Sequence, residues 1–216
     1  MNVALIGATG HVGSKILAEA LSRGHKVTAI CRHPDAIPAH PNVTPVELDI
    51  FDTPALGRAL TGHIAVITAF SPGRGEMGPD VFDKFVAGHK AVIAGIKASD
   101  VTRVLAVGGA ASLKLPSGEA LIDSAEWPEQ FNKAAVLGTR ELMYLLKAEP
   151  ELDWVFLSPP TFLEPGERTG RYQLGKDHLL FAPDGRSHIS EEDYAVAMVD
   201  ETERPTHHRE RFTVGY

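Results

Sequence analysis

Three glycines at a spacing of three, Gly7, Gly10 and Gly13, stand between an apolar run and a helical pattern. The run, Val3 to Ile6, is short and uncharged, as in a parallel strand buried on both faces. Val12, Ile16, Leu17, Ala20 and Leu21 then recur on one helical face, and Gly24 marks the helix end. A strand that turns through glycines into a helix brings backbone N–H groups and the positive end of the helix dipole to one point. That point suits a phosphate. With a second strand roughly 20 residues further on, the context is that of a dinucleotide-binding turn. The spacing is G-x-x-G-x-x-G. A Walker A loop is excluded because Lys15 follows Ser14, where it would not reach the phosphates.

The second strand, Lys26 to Cys31, refines the cofactor. A dinucleotide without a 2′-phosphate usually meets an acid at the end of this strand, which binds the ribose hydroxyls. Here the residues are Cys31-Arg32-His33, with no acid among them. The planar fork of Arg32 matches a phosphate, and His33 offers a second donor. NADPH is therefore expected in preference to NADH. The competing reading of Arg32 is a solvated loop arginine.

Composition excludes several function classes. The 216 residues suit one α/β domain, and a hydrophobic content of 44% with 23% charged residues is that of an ordinary globular protein. A net charge of −7 disfavours nucleic acid and anionic membranes as partners. No apolar stretch approaches the roughly 20 residues of a membrane span. Cys31 is the one cysteine, so no internal disulfide forms, and the chain starts directly in a strand with no apparent signal peptide. Both features lead to the expectation of a cytoplasmic protein. The ten histidines show no metal-ligand spacing, and no metal is expected.

Strand and helix patterns alternate along the chain. Strands are expected at Val43 to Ile50, Ile64 to Phe70, Arg103 to Val107 and Trp154 to Leu157. Helices are expected at Thr53 to Leu60, from about Asp80 to Ser99, and from Pro128 to Ala148. The 71–79 segment is a loop rich in Gly and Pro that suits a lid. The pattern predicts a Rossmann-like, doubly wound parallel sheet with ligands at the carboxyl ends of its strands. After Pro160 it changes. Arg171 to Leu174 and Leu179 to Phe181 read as short strands, Ser190 as the cap of a helix, and Arg211 to Tyr216 as a last strand. The expectation is one domain over residues 1–216, with residues 160–216 contributing a small substrate-side cap.

These residues together resemble an atypical short-chain dehydrogenase/reductase, of the NmrA-like and flavin-reductase-like branch that includes biliverdin reductase B. The resemblance runs nearly end to end. It rests on the segment from Gly7 to Gly13, on Cys31-Arg32-His33-Pro34, on Leu48-Asp49-Ile50, on Ser158-Pro159-Pro160-Thr161-Phe162, and on two tail segments, 170–174 and 189–195. It implies that Thr9, Gly10, His11 and Val12 lie along the pyrophosphate and that Arg32 meets the 2′-phosphate. Asp49 and Ile50 would edge the adenine, although an Asp at a strand end also serves as a helix cap. Ala69 and Phe70 would border the adenosine ribose. Gly108, Gly109 and Ala110 would line the nicotinamide side, with Pro159 and Pro160 shaping its pocket.

One departure from the family pattern bears on chemistry. Short-chain dehydrogenases usually carry Tyr-x-x-x-Lys on the helix after the fifth strand, and this chain has Phe131 and Lys133 there. A literal Tyr172-Gln-Leu-Gly-Lys176 lies in the tail, past the sixth strand, and is rejected as catalytic. Ser112 is taken as a loop hydroxyl. His178 and His188 are weak candidates for contact with substrate from the tail, and Trp127 and Phe162 for stacking on an acceptor. His207-His208 reads as solvated. No catalytic residue is assigned. A flavin, quinone or similar conjugated acceptor needs a hydride donor held close, and its proton can come from water. The expected function is reduction of such a small-molecule acceptor by direct hydride transfer, in a monomer or a homodimer. A non-catalytic NADP(H)-binding redox sensor is the alternative, and a nucleotide-sugar epimerase ranks below both for want of a tyrosine base.

Overall fold

A computed structural model of the chain describes residues 1–73 and 78–216. The described residues open with β1 (Asn2–Ile6), α1 (His11–Ser22), β2 (Lys26–Cys31), β3 (Val43–Glu47), α2 (Thr53–Leu60), β4 (Ala65–Thr68) and α3 (Val81–Lys97). They continue with β5 (Arg103–Val107), α4 (Lys133–Lys147), β6 (Asp153–Ser158), β7 (Phe162–Glu164), β8 (Gln173–Gly175), β9 (His188–Ser190), α5 (Glu191–Glu203) and β10 (Glu210–Gly215). The main sheet has eight strands in the order β3-β2-β1-β4-β5-β6-β10-β8, parallel except for β8. This is a Rossmann-like α/β fold. The order reverses between β1 and β4, where doubly wound sheets open a ligand crevice at the carboxyl ends of their strands. No helix of the described residues is long and apolar enough to cross a membrane.

The sheet is covered on both faces, so its central strands are apolar over most of their length, with polar residues only at their ends. On one face α1 and α5 bury Ile16, Leu17, Tyr194 and Met198 against Leu5, Ile67, Leu157 and Phe212. On the other, α2, α3 and α4 bury Leu56, Val92, Ile96 and Leu142 against Ile6, Val104, Ala106 and Phe156. Three helices start where a side chain accepts an otherwise unpaired N–H: Asp52 from Ala55, Asn132 from Ala135, and Ser190 from Asp193. Glu191, Glu192 and Asp193 in the first turn of α5 also complement its dipole.

Some boundaries differ from the expectation, each for a local reason. β3 ends at Glu47 because Asp49 accepts the N–H of Phe51 and turns the chain. α4 begins at Lys133, five residues past Pro128, because the Phe131 N–H bonds to the Pro128 carbonyl in a turn and Asn132 is the cap. Leu179 to Phe181 forms no strand; a backbone bond from Leu179 to Lys114 ties it to the loop after β5. In the expected lid, residues 74–77 lie outside the described residues.

The tail after Pro160 has several destinations. β10 lies beside β6 with β8 on its far side, widening the sheet, and α5 packs beside α1. Arg23 clamps the two helices, its guanidinium 2.7 Å from both Glu19 and Asp200 and 2.8 Å from Glu203. Lys15 adds a pair to Glu192 at 2.6 Å. His207, expected to be solvated, is instead held 2.8 Å from Glu201 with its ring stacked on Phe212 at 4.0 Å. His208 remains largely exposed.

Candidate functional site: two adjoining pockets at the carboxyl edge

The glycine turn packs too tightly for side chains at two positions. Gly7 has φ +82°, and a Cβ there would lie 2.5 Å from the Ala69 carbonyl oxygen. A Cβ at Gly13 would lie 2.1 Å from the Gly7 oxygen. The Gly10 N–H closes the turn onto the Gly7 carbonyl at 3.0 Å. Unlike α2, α4 and α5, α1 starts on Gly10 with no side-chain cap, and its first turn holds no acid. Its positive end is therefore left to a ligand.

This turn forms one wall of a cleft of about 710 Å³. That volume is within the range of ligand pockets, roughly 300–1,000 Å³. Of the expected site residues, Gly7, Thr9, Gly10, His11, Val12, Gly13, Arg32, Asp49, Ile50, Ala69, Phe70 and Gly108 line it. The cradle, the uncapped helix end and the volume fit a dinucleotide. His33 lines neither this cleft nor its neighbour. Arg32 is exposed at the rim, its guanidinium donating to the Pro72 carbonyl at 3.2 Å. Asp49 faces the cleft while also holding the Phe51 N–H at 3.0 Å; the cap of α2 is Asp52. Burial raises the pKa of the Cys31 thiol above its ordinary value, which keeps it neutral on the wall.

Phe70 and Phe85 line the cleft and flank a histidine behind them. The His89 ring lies 5.5 Å from Phe70 and 5.7 Å from Phe85. It is 2% exposed, and neither ring nitrogen has a hydrogen-bond partner among the described residues. Burial lowers its pKa to about 4, so it stays neutral at physiological pH.

A second pocket, of about 240 Å³, adjoins the first, and Gly108 and Thr139 line both. Gly109, Pro159 and Pro160 line this second pocket, as does Trp127. Phe162 does not; it stands behind Phe131, their rings 6.0 Å apart, and Trp127 is 6.1 Å from Phe131 on the other side. The loop after β5 is pinned by Arg211, which donates to the Ser112 hydroxyl at 2.7 Å and pairs with Asp177. Ser112 is thus a structural anchor. Leu113, Leu115, Leu121 and Leu179 form a small core beneath this loop.

No side chain of Asp, Glu, His, Lys, Arg, Cys or Tyr lines the second pocket among the described residues. The Tyr172 hydroxyl donates to Asp200 at 2.5 Å beside α1 and α5, and burial with that carboxylate raises its pKa. His178 and His188 line neither pocket. Among the described residues no cluster of His, Cys, Asp and Glu is arranged to hold a metal.

Sequence reasoning missed several lining residues: Leu48, Phe51, Lys84 and Phe85 in the larger cleft, Thr139 at the junction, and Val136 and Leu163 in the smaller pocket. Phe85 is buried and serves the core and the cleft together. Thr139 had no sequence signal, because its importance comes from where α4 crosses the end of β5.

Residues 7–205 match a family model described as NAD(P)H-binding. The uncharacterized protein YwnB of Bacillus subtilis (strain 168) is 38% identical over 219 residues, covering 99% of this chain and 98% of that protein. A crystal structure from Bacteroides thetaiotaomicron, named as a candidate epimerase, is 43% identical with a TM-score of 0.91, covering 100% of this chain and 96% of the other. A Streptococcus pneumoniae structure, named as a candidate NADH-flavin reductase, is 32% identical with a TM-score of 0.85, covering 100% and 99%.

Proposed function

The chain belongs to the NAD(P)H-binding family, and from that premise we propose that it is an NADPH-dependent reductase of a flavin, quinone or similar conjugated acceptor. The observation that carries this reading is the junction at Gly108 and Thr139, where a dinucleotide-sized cleft opens into a small aromatic pocket. A donor in one and an acceptor in the other meet beside a residue with no side chain. The Streptococcus pneumoniae relative bears a flavin-reductase name, which favours the same class.

When bound, the nicotinamide supplies a hydride, and a proton from water completes the two-electron reduction of the acceptor as NAD(P)⁺ is left behind. The protein's own part is positional. The turn from Gly7 to Gly13 and the positive end of α1 hold the pyrophosphate. Arg32 takes the 2′-phosphate and thereby selects NADPH. Leu48, Ile50 and Phe51 give an apolar seat for the adenine. Trp127, Phe131 and the two prolines exclude water and orient a flat ring. With no titratable side chain in the second pocket among the described residues, the protein holds no acid there for a carbonyl-reductase or epimerase step. The single buried cysteine fits a reducing compartment such as the cytoplasm.

The test is NADPH absorbance loss in the presence of the purified protein and either FMN or a quinone, with NADH as control. NADPH-selective oxidation is the expected result. Tight NADPH binding without oxidation by either acceptor would replace this reading with that of a redox sensor.

A further inference from the structure

The second pocket narrows the acceptor, on the footing that the chain is a reductase. We propose that its acceptor is an uncharged quinone of one or two rings, and that phosphorylated flavins are poor substrates.

Size is the first argument. At about 240 Å³ the pocket falls below the roughly 300 Å³ where drug-sized ligand sites begin. A naphthoquinone is a compact two-ring body, whereas FMN carries three fused rings, a ribityl chain and a phosphate. The walls formed by Trp127, Phe131, Pro159 and Pro160 suit a flat apolar ring. Thr161 offers a side-chain hydroxyl to one carbonyl oxygen of a quinone, while the Thr139 hydroxyl donates to the Ala135 carbonyl at 3.2 Å.

Charge is the second. A phosphate drawn into an apolar pocket costs several kcal/mol unless a cation or a free helix end receives it. No cation lines this pocket among the described residues. The start of α4 lies beside it, but the Asn132 side chain already accepts the Ala135 N–H at 3.1 Å. Arg186 stands over the Phe162 ring, its guanidinium 5.8 Å from the centroid, and neither residue lines the pocket. Arg186 is paired with Glu164 at 3.4 Å, and that carboxylate repels a second anion.

The experiment compares kcat/KM for menadione, riboflavin and FMN at saturating NADPH, in the wild-type protein and in Arg186→Ala. In parallel, the quenching of Trp127 fluorescence by menadione and by FMN is titrated. Trp154 is the other tryptophan, and Trp127→Phe supplies its background. The proposal expects menadione to exceed FMN at least tenfold, Arg186→Ala to leave that ratio unchanged, and only menadione to quench Trp127 saturably. An FMN rate equal to or above that of menadione overturns it, and an FMN rate lost in Arg186→Ala would locate a phosphate subsite instead. Should no acceptor oxidise NADPH, the reductase reading fails, and the quenching still decides the pocket: saturable menadione quenching without FMN quenching upholds it, and its absence overturns it.

Discussion

The Cβ that Gly13 lacks would stand 2.1 Å from the carbonyl oxygen of Gly7. The first turn of α1 therefore rests directly on the backbone of the turn that precedes it, and any side chain at position 13 forces the two apart. Gly10, three residues earlier, differs: its φ is −74° and its Cβ would lie 3.3 Å from the same oxygen. Gly13→Ala is expected to cost about 3 kcal/mol and lower the melting temperature by roughly 6–12 °C. Gly10→Val is expected to melt within a few degrees of wild type yet lose NADPH and NADH affinity at least about tenfold, because its branched side chain fills the space over the turn. Thermal melts and fluorescence titration on the two variants separate the roles; equal effects in both assays would mean that Gly10 is packing, not ligand space.

Arg32 reaches across the rim of the cleft to the Pro72 carbonyl, a neutral partner that a phosphate readily displaces. Replacement by Ala is expected to weaken NADPH about 10- to 100-fold, the worth of a charge-assisted contact, and NADH by less than about threefold. Affinities measured side by side by fluorescence decide it, and parallel losses for the two cofactors would remove Arg32 from the 2′-phosphate site.

His89 gives the protein an acid weakness. Its folded-state pKa, about 4, lies below the ordinary value of 6.5. Between those values the unfolded chain binds the proton and the folded protein does not, so stability is intact above about pH 6.5 and lost as pH falls toward 4. The loss from this residue approaches about 3 kcal/mol. His89→Leu is expected to shallow the fall of melting temperature between pH 7 and 4.5, and to add about 1 kcal/mol at neutral pH by removing two unpaired buried nitrogens. Identical pH profiles for the two proteins would show that His89 finds a partner in solution.

Tyr194 is fully buried and donates to the Leu157 carbonyl at 2.7 Å, and the same oxygen accepts the Gly108 N–H at 2.9 Å. Burial raises its pKa far above neutrality, so it remains a donor at any working pH. Tyr194→Phe is expected to cost about 1 kcal/mol in chemical denaturation, since Leu157 keeps its second partner. A cost of about 3 kcal/mol or more would mean that the hydroxyl, rather than the Gly108 amide, holds the end of β6.

The glycine turn and the caps at Ser190 and Gly24 were legible because each depends on near neighbours in the chain, and the parallel sheet because strand and helix patterns alternate. Arg32 was legible from its place at the end of the second strand, whereas Asp49, Ala69 and Phe70 came from the family resemblance; all four line the cleft because each sits just past the end of a strand, and the sheet gathers such positions on one edge. What was not legible depends on tertiary contacts. Pro128 is as acceptable in a turn as in the first turn of a helix, and only Asn132 capping Ala135 decides the start of α4. Ser112 serves Arg211, 99 residues away. His207 is half-buried because Glu201 pairs with it and its ring stacks on Phe212.

β10 joins the sheet beside β6, with Thr213 bonded to Ser158 across 55 positions of sequence. On a ribosome adding about 5–20 residues per second, that interval lasts several seconds. Throughout it the chain holds a parallel sheet whose β6 edge and whose face beneath α5 have no cover. A stall between residues 160 and 210 therefore leaves on the ribosome a species with an open strand edge and an uncovered apolar face, both of which invite pairing with a neighbouring chain.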